Sequence, residues 1–317
     1  MQANRPLEVD RDTEGHGLTF GSLSPQGHCE PGGTMTVAAE ELRRSLDAGE
    51  QVVLLDARWH FTDPDAPRRM WVEARIPGAA YLAMTNAIAG PMREDRVGGR
   101  NPMPTPAAFL EGMNGAGARR DARIVAYDQR MEGVAARVWW IGRELGIDIE
   151  VLEGGLDAWV AAGGPIESGE PASRPDVGDL VCPEGVDPHV PVGSDGRMTV
   201  TADDLLSPDP SIMLLDVRGS SRYRGDDEPL DPVGGHIPGA VNVPNVSEDG
   251  RPTAPDVIAD LVAHPGEVIA SCGSGVSACL MVLRLAEAGR HDVRLYPGSW
   301  SEWLALGHPY ATGDTPH

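Results

Sequence analysis

The sequence predicts an α/β protein made of two like domains, each a mainly parallel sheet flanked by helices. Three observations carry that prediction. Short apolar segments alternate with helical stretches of about ten residues, the pattern of a parallel sheet. A set of landmarks recurs in the same order in both halves. The stretch Val268 to Ala278 reads as strand, cysteine loop and helix start, and its counterpart in the first half has no cysteine.

In chain order, residues 1–34 are rich in Gly, Pro and acids without periodicity, and read as a mobile tail. His28 and Cys29 in that tail are too few to hold a metal. Order is expected from Met35. Thr36 followed by Ala39, Leu42 and Leu46 reads as a capped amphipathic helix. Val52 to Leu55 reads as a strand ending at Asp56, Pro106 to Met113 as a helix, and Ile124 to Tyr127 as a strand ending at Asp128. Ala135 to Leu145 reads as a helix, Ile149 to Leu152 as a strand and Leu156 to Ala162 as a helix. Residues 169–197 are rich in Pro, Gly and Asp and read as a surface linker between a first domain, 35–168, and a second, 198–317.

The repeat is explicit. Leu54-Leu55-Asp56-Ala57-Arg58 returns 160 residues later as Leu214-Leu215-Asp216-Val217-Arg218. Ile76-Pro77-Gly78-Ala79 returns as Ile237-Pro238-Gly239-Ala240, and Leu152-Glu153-Gly154-Gly155 as Leu295-Tyr296-Pro297-Gly298. Trp159, Gly163 and Pro165 return as Trp303, Gly307 and Pro309. Two copies are too few for a solenoid and indicate duplication of one domain.

Composition excludes several functions. With 317 residues the chain can build two cores. A net charge of −22 argues against nucleic acid and anionic membranes as partners, so an anion site must be locally basic. All 26 basic residues are Arg, which removes lysine chemistry. Four cysteines (Cys29, Cys182, Cys272, Cys279) do not make a disulfide framework. No signal-peptide pattern and no bilayer-length apolar run is present, and a reduced cytoplasm is the expected location.

Cys272 is the centre of the chemistry. Val268 to Ala270 read as a short buried strand, and a helix begins at Val276 and runs to near Gly289. Gly273 and Gly275 let the intervening loop curl and turn its N–H groups inward. The helix N-terminus adds partial positive charge, and both effects favour a thiolate. The expectation is an exposed sulfur nucleophile in a cradle of amides; the alternative is a buried structural cysteine. The aligned residue of the first copy is Asp128, which cannot be a sulfur nucleophile. One copy is therefore expected to carry chemistry and the other to be silent, lending surface to a cleft between domains.

The paired Asp-x-Arg strand ends, the repeated Ile-Pro-Gly-Ala and the single Cys-Gly-Ser-Gly-Val-Ser loop together resemble the tandem-domain rhodanese family of sulfurtransferases, over residues 35–317. The resemblance implies that Cys272 takes a sulfane sulfur from 3-mercaptopyruvate or thiosulfate. It then passes that sulfur from a persulfide to a thiol, cyanide or thioredoxin-like acceptor. It implies Arg222 as clamp for the donor anion, the loop Gly273, Ser274, Gly275, Val276 and Ser277 as donor-binding backbone, and no metal or organic cofactor. Cys-Gly-Ser-Gly-Val resembles the 3-mercaptopyruvate branch, whereas Asp231, nine residues after Arg222, resembles the thiosulfate branch. Arg75 stands where that family usually has a His in the first domain.

Further candidates are Arg75, Arg100, His236 and Trp300 as pocket residues. His236 is an acid–base candidate by residue type, but it also belongs to a fold-forming turn. Trp300 has no counterpart in the first copy and is a candidate pocket wall; Trp303 does, and reads as core. Cys279 reads as core. Asp216 and Arg218 read as a structural pair, because Asp56 and Arg58 repeat them. A phosphatase or arsenate reductase of related fold is set aside, since no Arg closes the loop after Cys272. A non-enzymatic persulfide carrier remains the other class.

Overall fold

The structure, a computed structural model, describes residues 34–171, 175–207 and 209–317; most of the predicted tail, with His28 and Cys29, lies outside the described residues. Two parallel sheets stand side by side. The first contains β1 (Thr36–Val37), β2 (Val52–Asp56), β3 (Ala80–Tyr81), β4 (Arg123–Tyr127) and β5 (Glu150–Leu152), in the order β1-β5-β4-β2-β3. The second contains β6 (Met213–Asp216), β7 (Val241–Asn242), β8 (Val268–Ser271) and β9 (Arg294–Leu295), in the order β7-β6-β8-β9. Every pairing within the two sheets is parallel. The strands are short, and the longer ones are apolar apart from their end residues because helices cover both faces.

Around the first sheet lie α1 (Ala39–Asp47), α2 (Ala66–Glu73), α3 (Pro106–Gly115), α4 (Val134–Glu144) and α5 (Gly155–Ala161). Around the second lie α6 (Ser220–Arg224), α7 (Pro255–Ala263), α8 (Ala278–Glu287) and α9 (Ser299–Ala305). Thr36 does not cap α1. It lies in edge strand β1 opposite Val151, and its hydroxyl bonds Glu153 and Glu287, so strand pairing wins over capping. The helix after the cysteine begins at Ala278, two residues later than its apolar pattern suggests, because the loop needs those residues to curl.

The duplication extends to atoms. Asp56 holds Arg58, which reaches on to the carbonyl of Ala74; Asp216 holds Arg218, which reaches on to that of Gly235. Trp159 Nε1 donates to the Pro165 carbonyl at 2.8 Å, and Trp303 Nε1 to that of Pro309 at 2.7 Å. The Asp–Arg pairs tie a strand end to a later turn, and the Trp bonds tie a helix to the segment that follows it, in each copy.

One continuous core joins the halves. Helices α4 and α8 pack against each other, and their residues Ala135, Val138, Trp139, Leu280, Leu283 and Ala286 belong to the same buried cluster. Gly133, at φ +118°, permits this contact: a Cβ there would lie 2.7 Å from the Cα of Ser277. The two helix N-termini, each at the mouth of a strand–loop–helix turn, are thereby brought together. The segment after α5 packs on the first domain through the buried Leu180 and Val192 and the bond from Asn114 to the Leu180 carbonyl.

Candidate active site

The strand–loop–helix turn of the first copy forms a nest of backbone N–H groups and shows what such a nest holds. At the end of β4 the Asp128 carboxylate turns into the loop that precedes α4. Oδ1 accepts from the amides of Met131 (2.5 Å) and Glu132 (3.0 Å). Oδ2 accepts from those of Gly133, Val134 and Ala135, at 3.1, 3.1 and 3.2 Å. This is an anion on a helix N-terminus, supplied by the chain itself. In the first copy the chain's own carboxylate fills the cradle.

At the end of β8, Cys272 occupies the equivalent place. The amides of Gly273, Ser274, Gly275, Val276 and Ser277 meet no oxygen or nitrogen acceptor among the described residues. A nest of the same origin is here open to a charge that the sequence does not supply. Gly275 shapes it: φ is +73°, and a Cβ would lie 2.1 Å from the Pro297 carbonyl oxygen.

Cys272 is not exposed, contrary to the sequence expectation. The residue is 2 % accessible and sits on the floor of the cradle, because side chains from both halves roof the loop. Over Gly273 lie the guanidiniums of Arg100 and Arg222: a Cβ on that glycine would be 3.2 Å from Nη2 of each. The thiol is thus beneath cations as well as beside the apolar core.

Neighbours fix the loop at every point. The Cys272 amide donates to Ser299 Oγ at 3.0 Å, and Ser299 Oγ donates in turn to the Tyr296 carbonyl. Ser299 takes φ +51°, unusual for a residue with a side chain and a mark of a site held by its surroundings. Asn101 Nδ2 donates to Ser274 Oγ at 2.8 Å, and Asn245 Nδ2 to the Ser277 carbonyl at 2.6 Å. Arg137, wholly buried on α4, donates to the carbonyls of Gly275, Ile88, Asn101 and Pro102, at 3.1, 3.0, 2.8 and 3.0 Å. Burial pulls the Arg137 pKa down, and the Cys279 and Cys272 thiols oppose that shift.

Acids hold the arginines. Arg222 makes a two-pronged contact with Glu228, 3.0 Å from Nε to Oε2 and 2.7 Å from Nη2 to Oε1. Burial raises the Glu228 pKa, but Arg222 and the amides of Leu230 and Asp231 outweigh it, so the pKa lies below the usual carboxylate value. Arg218 stacks 4.9 Å over the Trp300 ring.

Several predicted site residues lie elsewhere. Arg75 is buried under Trp71, 4.3 Å from ring centroid to guanidinium, and bonds the carbonyls of Trp71 and Gly169 and the Glu167 carboxylate. It props the turn before Ile76 and is not a pocket residue. His236 stacks on Tyr223 at 3.7 Å, and its ring nitrogens meet the carbonyls of Tyr223 and Thr315. Buried between backbone groups, it is a turn residue and not a pocket group. Trp300 is no pocket wall: only 1 % accessible, it lies beneath Arg218 with Nε1 on the Val233 carbonyl. Burial pushes the Cys279 thiol up to about 12, as suits a core residue. Arg100 does reach the cradle. Asn101, Arg137, Glu228 and Ser299 were not singled out in the sequence; the acids set among the arginines of the segment 222–231 are the one signal that pointed toward Glu228.

Comparison with known proteins agrees with this geometry. The Rhodanese-like domain family matches residues 38–162 and 201–306. SseB of Mycobacterium tuberculosis, which carries the name of a thiosulfate sulfurtransferase, is 36 % identical over 280 residues, covering 86 % of this chain and 94 % of its own. A Pseudomonas aeruginosa protein that carries the name of a 3-mercaptopyruvate sulfurtransferase is 37 % identical over 292 residues, covering 88 % and 98 %. Among solved structures, SseA of Escherichia coli, one of the 3-mercaptopyruvate sulfotransferases, superposes with a TM-score of 0.66 at 26 % identity, covering 85 % and 100 %. With both copies matched, and full-length relatives of the same two-domain plan, the chain belongs to the rhodanese family of sulfurtransferases.

Proposed function

We propose that Cys272 is the sulfur acceptor of a sulfurtransferase whose main donor is 3-mercaptopyruvate, and that the first domain takes no covalent part. The observation that carries this reading is the contrast between the two nests: five amides around Asp128 hold a carboxylate, while the loop after Cys272 offers its amides to no internal anion. A thiolate, and then a persulfide one sulfur longer, is the anion such a loop suits. Arg222, 20 % accessible and braced by Glu228, is the donor clamp.

In the first step the Cys272 thiolate attacks the donor sulfur. A sulfur–sulfur bond forms and the donor's carbon–sulfur bond breaks. The pyruvate enolate leaves with that electron pair and takes the proton released by the donor thiol. In the second step an acceptor thiolate or cyanide attacks the outer sulfur, and Cys272 departs as thiolate. Thiosulfate is the second reading, favoured by Asp231 and by the name carried by SseB. It would give the same persulfide with sulfite as the leaving group. A thioredoxin-like thiol is the expected protein acceptor and the cytoplasm the expected location; no helix among the described residues is long and apolar enough to cross a membrane.

Mass spectrometry of the intact protein after exposure to each donor tests the reading. The expected result is a gain of one sulfur atom, faster with 3-mercaptopyruvate and absent in Cys272→Ser. A gain that persists in Cys272→Ser rules out Cys272 as the carrier.

A further inference from the structure

We infer that Arg100 and Arg222 form a two-domain pincer for the oxyanion end of the sulfur donor, with Asp231 as the residue that positions Arg100. The inference deepens the reading of Cys272 as sulfur acceptor and rests on it. The two guanidiniums come from different halves of the chain yet converge on one spot. A Cβ on Gly273 would lie 3.2 Å from Arg100 Nη2, 3.2 Å from Arg222 Nη2 and 3.6 Å from Arg222 Nη1.

Contacts to the second domain hold Arg100 there firmly. Its amide donates to Ser301 Oγ at 3.0 Å, and the amide of Gly98 donates to Glu302 Oε1 at 2.6 Å. A Cβ on Gly99 would lie 2.5 Å from the Gly298 carbonyl oxygen, so this backbone lies directly against α9. The guanidinium then uses Nη1 on Asp231 and leaves Nη2 without a hydrogen bond among the described residues. Arg222 likewise spends Nε and Nη2 on Glu228 and leaves Nη1 without a hydrogen bond among the described residues. Two uncommitted, charged N–H groups therefore face the cysteine loop from two sides.

Asp231 supplies the second observation. Its side chain is 5 % accessible, Oδ1 binds Arg100, and Oδ2 is buried without a partner, 3.7 Å from Arg222 Nη2. A buried carboxylate oxygen left bare is costly, so Asp231 holds Arg100 in position without saturating the pair. Arg100 and Arg222 are balanced in charge by Asp231 and Glu228, so what the pair offers an anion is its unused N–H groups and not surplus charge. A carboxylate or sulfonate placed between Arg100 Nη2 and Arg222 Nη1 would gain two charge-assisted bonds. The ligand class is a small sulfur donor whose reacting sulfur lies within a few bonds of such an oxyanion.

Calorimetry on the Cys272→Ser protein tests the pincer apart from the covalent chemistry. The probes are the leaving products, pyruvate for a carboxylate donor and sulfite for thiosulfate. Adding Arg100→Ala should weaken the anion that belongs to the true donor by about tenfold or more, as adding Arg222→Ala does, since each removes a charged hydrogen bond. Arg100→Lys keeps charge without the fork and should fall between, and it serves if Arg100→Ala does not fold. In the protein with Cys272 intact, Arg100→Ala should slow alkylation of Cys272 by anionic iodoacetate relative to neutral iodoacetamide. The inference is overturned if Arg100→Ala and Arg100→Lys bind both anions as the parent does and leave that reagent ratio unchanged. If the anions bind as expected but no sulfur is gained at Cys272, the persulfide reading fails and the pincer stands.

Discussion

Replacing Asp128 by alanine empties the nest of the silent copy, and the cost can be worked from its contacts. Five amides lose their acceptor. Met131 is half-buried and Glu132 exposed, so water can take over their N–H groups; Gly133, Val134 and Ala135 are buried. Three buried amides at about 1–1.5 kcal/mol each come to about 3–5 kcal/mol, the range for breaking a buried charged network. At roughly 2–4 °C per kcal/mol for a domain of this size, the melting temperature should fall by about 6–20 °C. Asp128→Asn keeps one carbonyl oxygen in the nest and should lose about half as much. The assay is thermal unfolding of the full chain by circular dichroism, with alkylation of Cys272 at 20 °C as a control for local damage. A melting temperature within about 2 °C of the parent for Asp128→Ala would refute the nest energetics. The loop after Cys272 would then have no precedent within the chain for stabilising an anion.

Two further outcomes follow from the same structure. Gly275→Ala combines a disfavoured backbone at φ +73° with a Cβ 2.1 Å from the Pro297 oxygen. It should distort the loop at a cost of about 1–3 kcal/mol and reduce donor turnover at least tenfold, and parental turnover would mean the loop is not held rigidly. Burial raises the Glu144 pKa from 4.5 to about 6, so the folded state binds more protons than the unfolded one between those values. Stability should therefore fall as pH rises from 4.5 to 6, by at most about 2 kcal/mol. Glu144→Gln should remove that slope in urea titrations across the window, and a slope that survives assigns it to another group.

The repeat, the alternation of strand and helix, and the position of Cys272 at a strand end just before Gly273 and Gly275 follow from the chain alone. These are legible because they depend on local periodicity and on residues such as Gly275 that only one backbone shape requires. Alignment of the copies, which needs no coordinates, also pairs Asp128 with Cys272. Tertiary structure alone decided what surrounds the sulfur. Arg100 and Asn101 are more than 170 residues away in sequence from the loop they touch, and Arg137 reaches it only because α4 packs on α8. Arg75, His236 and Trp300 look functional one residue at a time, yet each is occupied by a partner from a distant segment. Burial and pairing depend on which surfaces meet, and one linear pattern is compatible with many such meetings. That is why the cysteine loop could be read from its neighbours in the chain, while the roof over it could not.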